Sequence, residues 1–205
     1  MIASQTLDTA VSALRAGQTV ILPTDTVYGL CVDAYHDAPI RRLLRQKKRP
    51  KEIPVALVAS DLEVILDAVP ELRGRAAVLA RALLPGPYTL VLPNPAQRYR
   101  WLTGTRPDTI GVRVPDLPAE TREVLDAFGA VAATSANIHG GADPARVEDI
   151  PESVLGAAAA VIDAGPLPGT PSTVVDLTGP EPQFLREGAV AAPDALAAIA
   201  RATAA

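Results

Sequence analysis

Apolar positions along this chain change period repeatedly, and each change predicts an element. Helical spacing over Leu7–Ala16 predicts an opening helix, with Thr6 as N-cap and Gly17 as its stop. Thr19–Leu22 predicts a buried strand that ends at Pro23. The polar stretch Pro23-Thr24-Asp25-Thr26 follows it and runs into Val27-Tyr28-Gly29-Leu30. Asp37 then caps a second helix, with Pro39 in its first turn. Leu43 and Leu44 give that helix one buried side, and Pro50 ends it, because proline disfavours the α conformation in the residue before it. Ile53–Ala59 reads as an apolar strand. Ser60-Asp61-Leu62-Glu63 has capping-box spacing and opens a helix to about Val69. A further helix covers Glu71–Leu84 and stops at Pro85-Gly86-Pro87. Thr89–Leu92 and Ile110–Val114 are strands, Pro118–Phe128 is helical, and Val131–Ala133 is a short buried strand. Strands at Ala160–Asp163, Thr173–Leu177 and Phe184–Arg186 precede a last helix, Pro193–Ala202.

Strands and helices interleave without strict alternation, and no internal repeat is present. The pattern predicts an α/β fold: a twisted mixed sheet flanked by helices. Functional loops belong where several strand ends meet, and those ends carry Thr24, Ser135 and Ser172.

Composition narrows the chemistry. A length of 205 residues predicts one domain over 1–205, with a core of about 6–190 and a C-terminal helix to about 202. Hydrophobic residues make up 48% of the chain and aromatics only 3%, so the core is aliphatic and a base-stacking surface for single-stranded RNA is disfavoured. One cysteine, Cys31, excludes an internal disulfide and a multi-cysteine zinc site. Two histidines, His36 and His139, exclude a His-rich metal site, so no protein metal ligands are expected. Met1–Ala10 lacks the pattern of a secretory signal, and no apolar run reaches the roughly 20 residues that span a bilayer. A cytoplasmic protein without membrane attachment is expected.

Charge adds a local feature. The formal net charge is −4, yet seven of the eleven residues from Arg41 to Lys51 are Lys or Arg. Such density on an acidic chain marks either a solvated helix face or a local anion site. Five other features bear on that choice. Thr24 and Asp25 form either a capping turn or a small polar ligand site. Thr134-Ser135-Ala136-Asn137, at a strand end, is a turn or a phosphate-binding loop. Pro171-Ser172-Thr173 precedes a β-branched strand, and Arg186 stands beside a Gly turn as a phosphate clamp or a surface partner of Glu187. Arg113 lies in an apolar strand, where its charge needs either a buried carboxylate or a bound anion. No Walker loop is present, and neither histidine is arranged for a nucleophilic triad.

Seven blocks, in this order, resemble the YrdC-like (TsaC) family of threonylcarbamoyl-AMP synthases, in its short single-domain form. They are Pro23–Leu30, Lys47-Lys48-Arg49-Pro50, Pro85–Leu92, Gly111–Pro115, Thr134–Asn137, Pro171–Asp176 and Leu185–Gly188. The resemblance implies a YrdC-like sheet with a basic concave groove. It implies synthesis of L-threonylcarbamoyl-AMP and pyrophosphate from L-threonine, bicarbonate and ATP, for modification of the tRNA adenosine next to the anticodon. A downstream transferase would complete that modification, and contact with tRNA itself would be weak or indirect. ATP would be a substrate, and Mg²⁺ would be held mainly by the nucleotide. The family's K-x-R and S-x-N signature falls on Lys47, Arg49, Ser135 and Asn137, the implied catalytic set. Thr24, Asp108, Arg113, Ala133 and Ser172 would bind threonine. Lys47, Lys51, Thr103, Ser135, Asp143 and Arg186 would bind the nucleotide. The alternative is a YciO-like paralogue without synthase activity, acting as a nucleotide- or RNA-binding module; the presence of both Ser135 and Asn137 favours the synthase.

Overall fold

The structure is a computed structural model that describes residues 4–204; the ends of the domain expected over 1–205 lie outside the described residues. In chain order the elements are α1 (Ser4–Arg15), β1 (Val20–Pro23), β2 (Tyr28–Asp33), α2 (Asp37–Gln46), β3 (Ala56–Val58), α3 (Leu62–Ala68) and α4 (Arg75–Leu83). They continue with β4 (Tyr88–Pro93), β5 (Thr109–Arg113), α5 (Ala119–Phe128), β6 (Val131–Ser135), α6 (Glu152–Leu155), β7 (Ala160–Val161), β8 (Thr173–Asp176), β9 (Gln183–Arg186) and α7 (Ala192–Ala204). The strands form one mixed sheet in the order β7-β1-β2-β6-β3-β5-β4-β8-β9. The pairs β1–β7, β3–β5 and β4–β8 are parallel, and the other neighbours are antiparallel.

Side-chain alternation divides the core in two. Ile21, Leu30, Val32, Leu57, Leu90, Ile110 and Val112 point to one face, where Ile40 and Leu43 of α2, Ile65 of α3, Leu79 of α4 and Ile199 of α7 cover them. Their neighbours Val20, Leu22, Cys31 and Val131 point to the opposite face and pack under Leu7, Val11 and Leu14 of α1 and Val124 and Leu125 of α5. Burying each large aliphatic side chain contributes roughly 1.5–3 kcal/mol. On this second face α1 and α5 cover the β7–β1–β2–β6 side. Across β3, β5, β4 and β8 the same face carries Ala56, Gly111, Arg113, Thr89, Val91 and Val174 instead, and these residues line a pocket.

Several local expectations are corrected. Thr6 lies inside α1, which starts earlier than expected. The polar turn after Pro23 joins two antiparallel strands, with Pro23 paired to Tyr28, rather than a strand to a helix. The strand β2 that follows was not anticipated. His36, not Asp37, is the N-cap of α2; Asp37 pairs with Arg41 one turn on, at 2.8 Å. Asp61, not Ser60, caps α3, its carboxylate accepting from the Glu63 N–H at 2.7 Å. The strand expected over Ile53–Ala59 shortens to β3 because the Ile53 N–H turns back to the Pro50 carbonyl. Helix α4 starts only at Arg75, after Gly74 at φ 56°, a left-handed conformation that favours glycine.

Most consequential is the end of α2. The helix stops at Gln46, four residues before Pro50. Lys48 adopts φ 52°, its N–H bonds to the Arg45 carbonyl at 3.0 Å, and the Arg49 N–H bonds to the Leu44 carbonyl at 2.9 Å. This is a Schellman motif with lysine in the position usually held by glycine. It turns Lys47 and Arg49 in different directions.

Candidate active site

The pocket has a volume of about 330 Å³ and lies on the open part of the second sheet face. Its floor is built from small residues at alternate strand positions: Gly29, Ala56, Gly111 and Ala133. Gly111 shows why small residues matter there. A Cβ at this position would meet nothing closer than 3.9 Å, so any larger side chain would occupy the cavity itself.

Four arginines line the pocket, Arg49, Arg106, Arg113 and Arg186, against one carboxylate, Asp143. They differ in compensation. Arg113 on β5 donates to the Asp25 carboxylate and to Thr26 Oγ1, and Asp25 also accepts from the Asp116 N–H at 3.0 Å. This answers the question of its partner with a carboxylate from the β1–β2 turn, on a pair whose side chains are only 12% and 11% exposed. Arg106, ahead of β5, pairs with Asp176 at 2.7 Å. Arg49 donates from Nη2 to the Pro54 carbonyl at 2.8 Å, and its buried Nε has no partner among the described residues. Arg186 on β9 donates from Nε to the Ser172 carbonyl and from Nη2 to Ser172 Oγ, both at 3.0 Å. Ser172 Oγ in turn lies 2.8 Å from Thr89 Oγ1. Arg49 and Arg186 thus end on uncharged oxygens. Burial, and next the charge of Arg186, hold Arg49 below the ordinary guanidinium range. Burial also lowers Arg113, with Asp25 opposing and Arg186 adding to the shift. Such a mutually repelling group is relieved by a bound anion.

The S-x-N loop forms another wall. Ser135 Oγ donates to Asn137 Oδ1 at 3.0 Å, so its proton rests on an amide rather than on a base. Asn137 Nδ2 donates to the carbonyls of Gly141 and Ala142, at 2.8 and 3.1 Å, and to Asp143 Oδ1 at 3.2 Å. Thr24 also lines the pocket. Its hydroxyl donates to the Val27 carbonyl at 2.8 Å and stands 3.0 Å from Thr26 Oγ1, the geometry of a hydroxyl-stabilised turn.

The pocket therefore gathers Thr24, Arg49, Thr103, Arg113, Ala133, Ser135, Asp143, Ser172 and Arg186 from the residues singled out in the sequence. Lys47 and Asn137 are buried, 1% and 5% exposed, and do not line it. Lys51 and Asp108 are not brought to it. Lys51 is exposed and borders a neighbouring depression with Arg41, Arg100 and Trp101. Asp108 is exposed just before β5, where its carbonyl accepts from the Asn94 N–H at 2.7 Å. Sequence reasoning missed Thr89, Gly111 and Arg106 as pocket residues. The alternation along β4 and β5 was the available signal for the first two. Arg106 is fixed by Asp176, seventy positions away, which no local pattern discloses.

Cys31 also faces the pocket, but burial pushes its thiol up to about 12, far from a reactive thiolate. Among the described residues no group of three or more His, Cys, Asp or Glu converges to hold a metal. The site is equipped to bind and orient a polyanion beside small polar groups, not to form a covalent intermediate.

The family Sua5_yciO_yrdC, described as "Telomere recombination", matches residues 12–188. A threonylcarbamoyl-AMP synthase of Stenotrophomonas maltophilia is 38% identical over 156 residues, covering 73% of this chain and 81% of that protein. The crystal structure of Pyrococcus abyssi Sua5 complexed with L-threonine superposes with a TM-score of 0.88 at 32% identity, over 97% of this chain but 58% of that one. The structure of E. coli YciO gives a TM-score of 0.81 at 27% identity, over 92% of each chain.

Proposed function

The chain belongs to the Sua5–YciO–YrdC family, and from that membership and the pocket we propose that it is a threonylcarbamoyl-AMP synthase. L-threonine and bicarbonate condense to a carbamate with loss of water. A carbamate oxygen attacks the α-phosphorus of ATP, and pyrophosphate leaves. The observation that carries this reading is the pair Arg49 and Arg186. Both are cations with no carboxylate partner among the described residues, set on a pocket with small walls. Negative charge grows on the leaving pyrophosphate, and fixed guanidiniums stabilise it without reorganising.

In this reading Arg49, Ser135, Thr103, Asp143 and Arg186 surround the nucleotide. Thr24, Arg113, Ala133 and Ser172 hold threonine. Ser135 is oriented by Asn137 and is not a nucleophile. With Asp143 as the single lining carboxylate, the pocket suits a Mg²⁺ ion that arrives with ATP and is held mainly by its phosphates. The product is an activated carbamoyl adenylate, so a transferase must consume it, and tRNA is the final acceptor. Among the described residues no helix is long and apolar enough to cross a membrane, and a site of action in the cytoplasm, beside ATP and tRNA, follows from the proposed reaction.

Incubation with ATP, bicarbonate and L-threonine tests the proposal. Pyrophosphate release should require all three, and mass spectrometry should find the adenylate. Release that persists without threonine or without bicarbonate would refute it. ATP binding without any adenylate would point to the nucleotide-binding module that the YciO likeness offers.

A further inference from the structure

Lys47 sits beneath the pocket, not in it. Its side chain is 1% exposed, and all three ammonium hydrogens have acceptors: Ser135 O at 2.5 Å, Asn137 O at 2.7 Å and Asn137 Oδ1 at 2.5 Å. The end of α2 grips the same loop a second time, because the Lys47 carbonyl accepts from the His139 N–H at 2.9 Å. Asn137 is committed just as fully. Its Oδ1 receives Lys47 and the Ser135 hydroxyl, and its Nδ2 donates to Gly141, Ala142 and Asp143. An amide has two N–H donors and two lone pairs, so nothing is left over for a phosphate. Of the residues held in this way, Ser135 and Asp143 do line the pocket.

We propose that Lys47 and Asn137 are positioning residues, a buried bracket that sets Ser135 and Asp143 against the nucleotide and leaves phosphate contact to Arg49 and Arg186. The bracket is local and three-dimensional. The Schellman turn sends Lys47 inward under the loop and Arg49 outward into the pocket, although one residue separates them. The inference rests on the synthase reading for the identity of the ligand and on geometry for everything else.

The chain contains three lysines, Lys47, Lys48 and Lys51, and the last two are exposed, so they serve as internal controls. Native wild-type protein is treated with an amine-acylating ester, with and without MgATP, and each site is followed by mass spectrometry. Lys47 should react more than about tenfold slower than Lys48 and Lys51 in both conditions, since it must wait for local opening. Reaction as fast as Lys48, with protection by MgATP, would overturn the bracket and return Lys47 to the phosphates. A second arm compares Lys47→Met with Arg49→Met. Lys47→Met should keep the Kd for MgATP within about threefold while turnover falls about 100-fold, because misplaced groups cost rate rather than affinity. Arg49→Met should raise that Kd by about tenfold or more. Equal weakening of ATP binding by both would also overturn the proposal. The labelling arm needs no variant and no turnover. A wild-type protein that makes no adenylate therefore removes the synthase reading and still decides the bracket.

Discussion

Arg113 ends on a carboxylate, whereas Arg49 and Arg186 end on neutral oxygens, and single substitutions should separate these cases. Asp25→Asn leaves the largely buried Arg113 uncompensated and should lower stability by about 3 kcal/mol in urea unfolding, with the double variant Asp25→Asn/Arg113→Met recovering part of it. A stability change under about 0.5 kcal/mol would mean that the pair is effectively solvated. Arg49→Met and Arg186→Met should do the reverse, with little effect on unfolding and a loss of transition-state stabilisation of roughly 2–4 kcal/mol in kcat/KM. Arg41→Ala and Arg42→Ala are the matched controls. Both side chains are exposed, with Arg41 paired to Asp37 and Arg42 bonded to the Gly17 carbonyl, and each should change kcat/KM by less than about 0.5 kcal/mol. Equal losses across all four variants would make the basic run a general patch and refute the division of labour.

The turn after α2 supplies a test at the level of the element. Lys48 holds a left-handed conformation that strains a residue with a Cβ, so Lys48→Gly should raise stability by up to about 1 kcal/mol in urea unfolding. A loss of stability would show that the lysine side chain contributes more than its backbone costs. This turn also shows where sequence reading stops. The K-x-R and S-x-N segments were legible because each is a short local pattern. That Lys47 points under the loop was not, because it depends on a strained turn at a lysine and on acceptors nearly ninety positions away. The mixed sheet was legible from its interleaved periods. Strand β2 was not, since Gly29 and Cys31, its pocket-lining residues, are small and blur the alternation behind a polar turn. Helix α4 was read too long because the apolar spacing continues across Gly74, where the backbone does not.

For the molecule as a whole, pH couples the bracket to stability. Burial, and next the charge of Arg49, lower Lys47 to about 8, with Asp143 opposing. Above that pH the folded protein has released a proton that the unfolded chain keeps until near 10.5, so this group's contribution to stability rises with pH through the window. Below pH 8 both states hold the proton and the burial penalty is felt in full. Between pH 7 and about 9, before the ordinary titration range of the thiol of Cys31 is passed, wild type should gain stability relative to Lys47→Met. Turnover should fall over the same range, because a neutral amine brings one fewer N–H to its three acceptors. A stability difference that stays constant with pH would refute the coupling. Long-range charge bears on RNA. With a net charge of −4 and its exposed cations spread along the chain, only five of them in α2 and the turn after it, any tRNA binding should be weak, indifferent to sequence and lost as salt is raised from about 50 to 200 mM. Tight binding insensitive to salt in an anisotropy titration would refute this. Finally, the pocket draws on residues from Thr24 in the first hairpin to Arg186 on β9, the edge strand laid down last. During synthesis on the ribosome, α1, β1, β2, α5 and β6 emerge and can begin to pack well before β9 clears the exit tunnel. On the proposed reading, ligand binding is therefore a property the nascent chain acquires only near completion, and a ribosome stalled before Gln183 would display a folding domain without the full pocket proposed to hold the nucleotide.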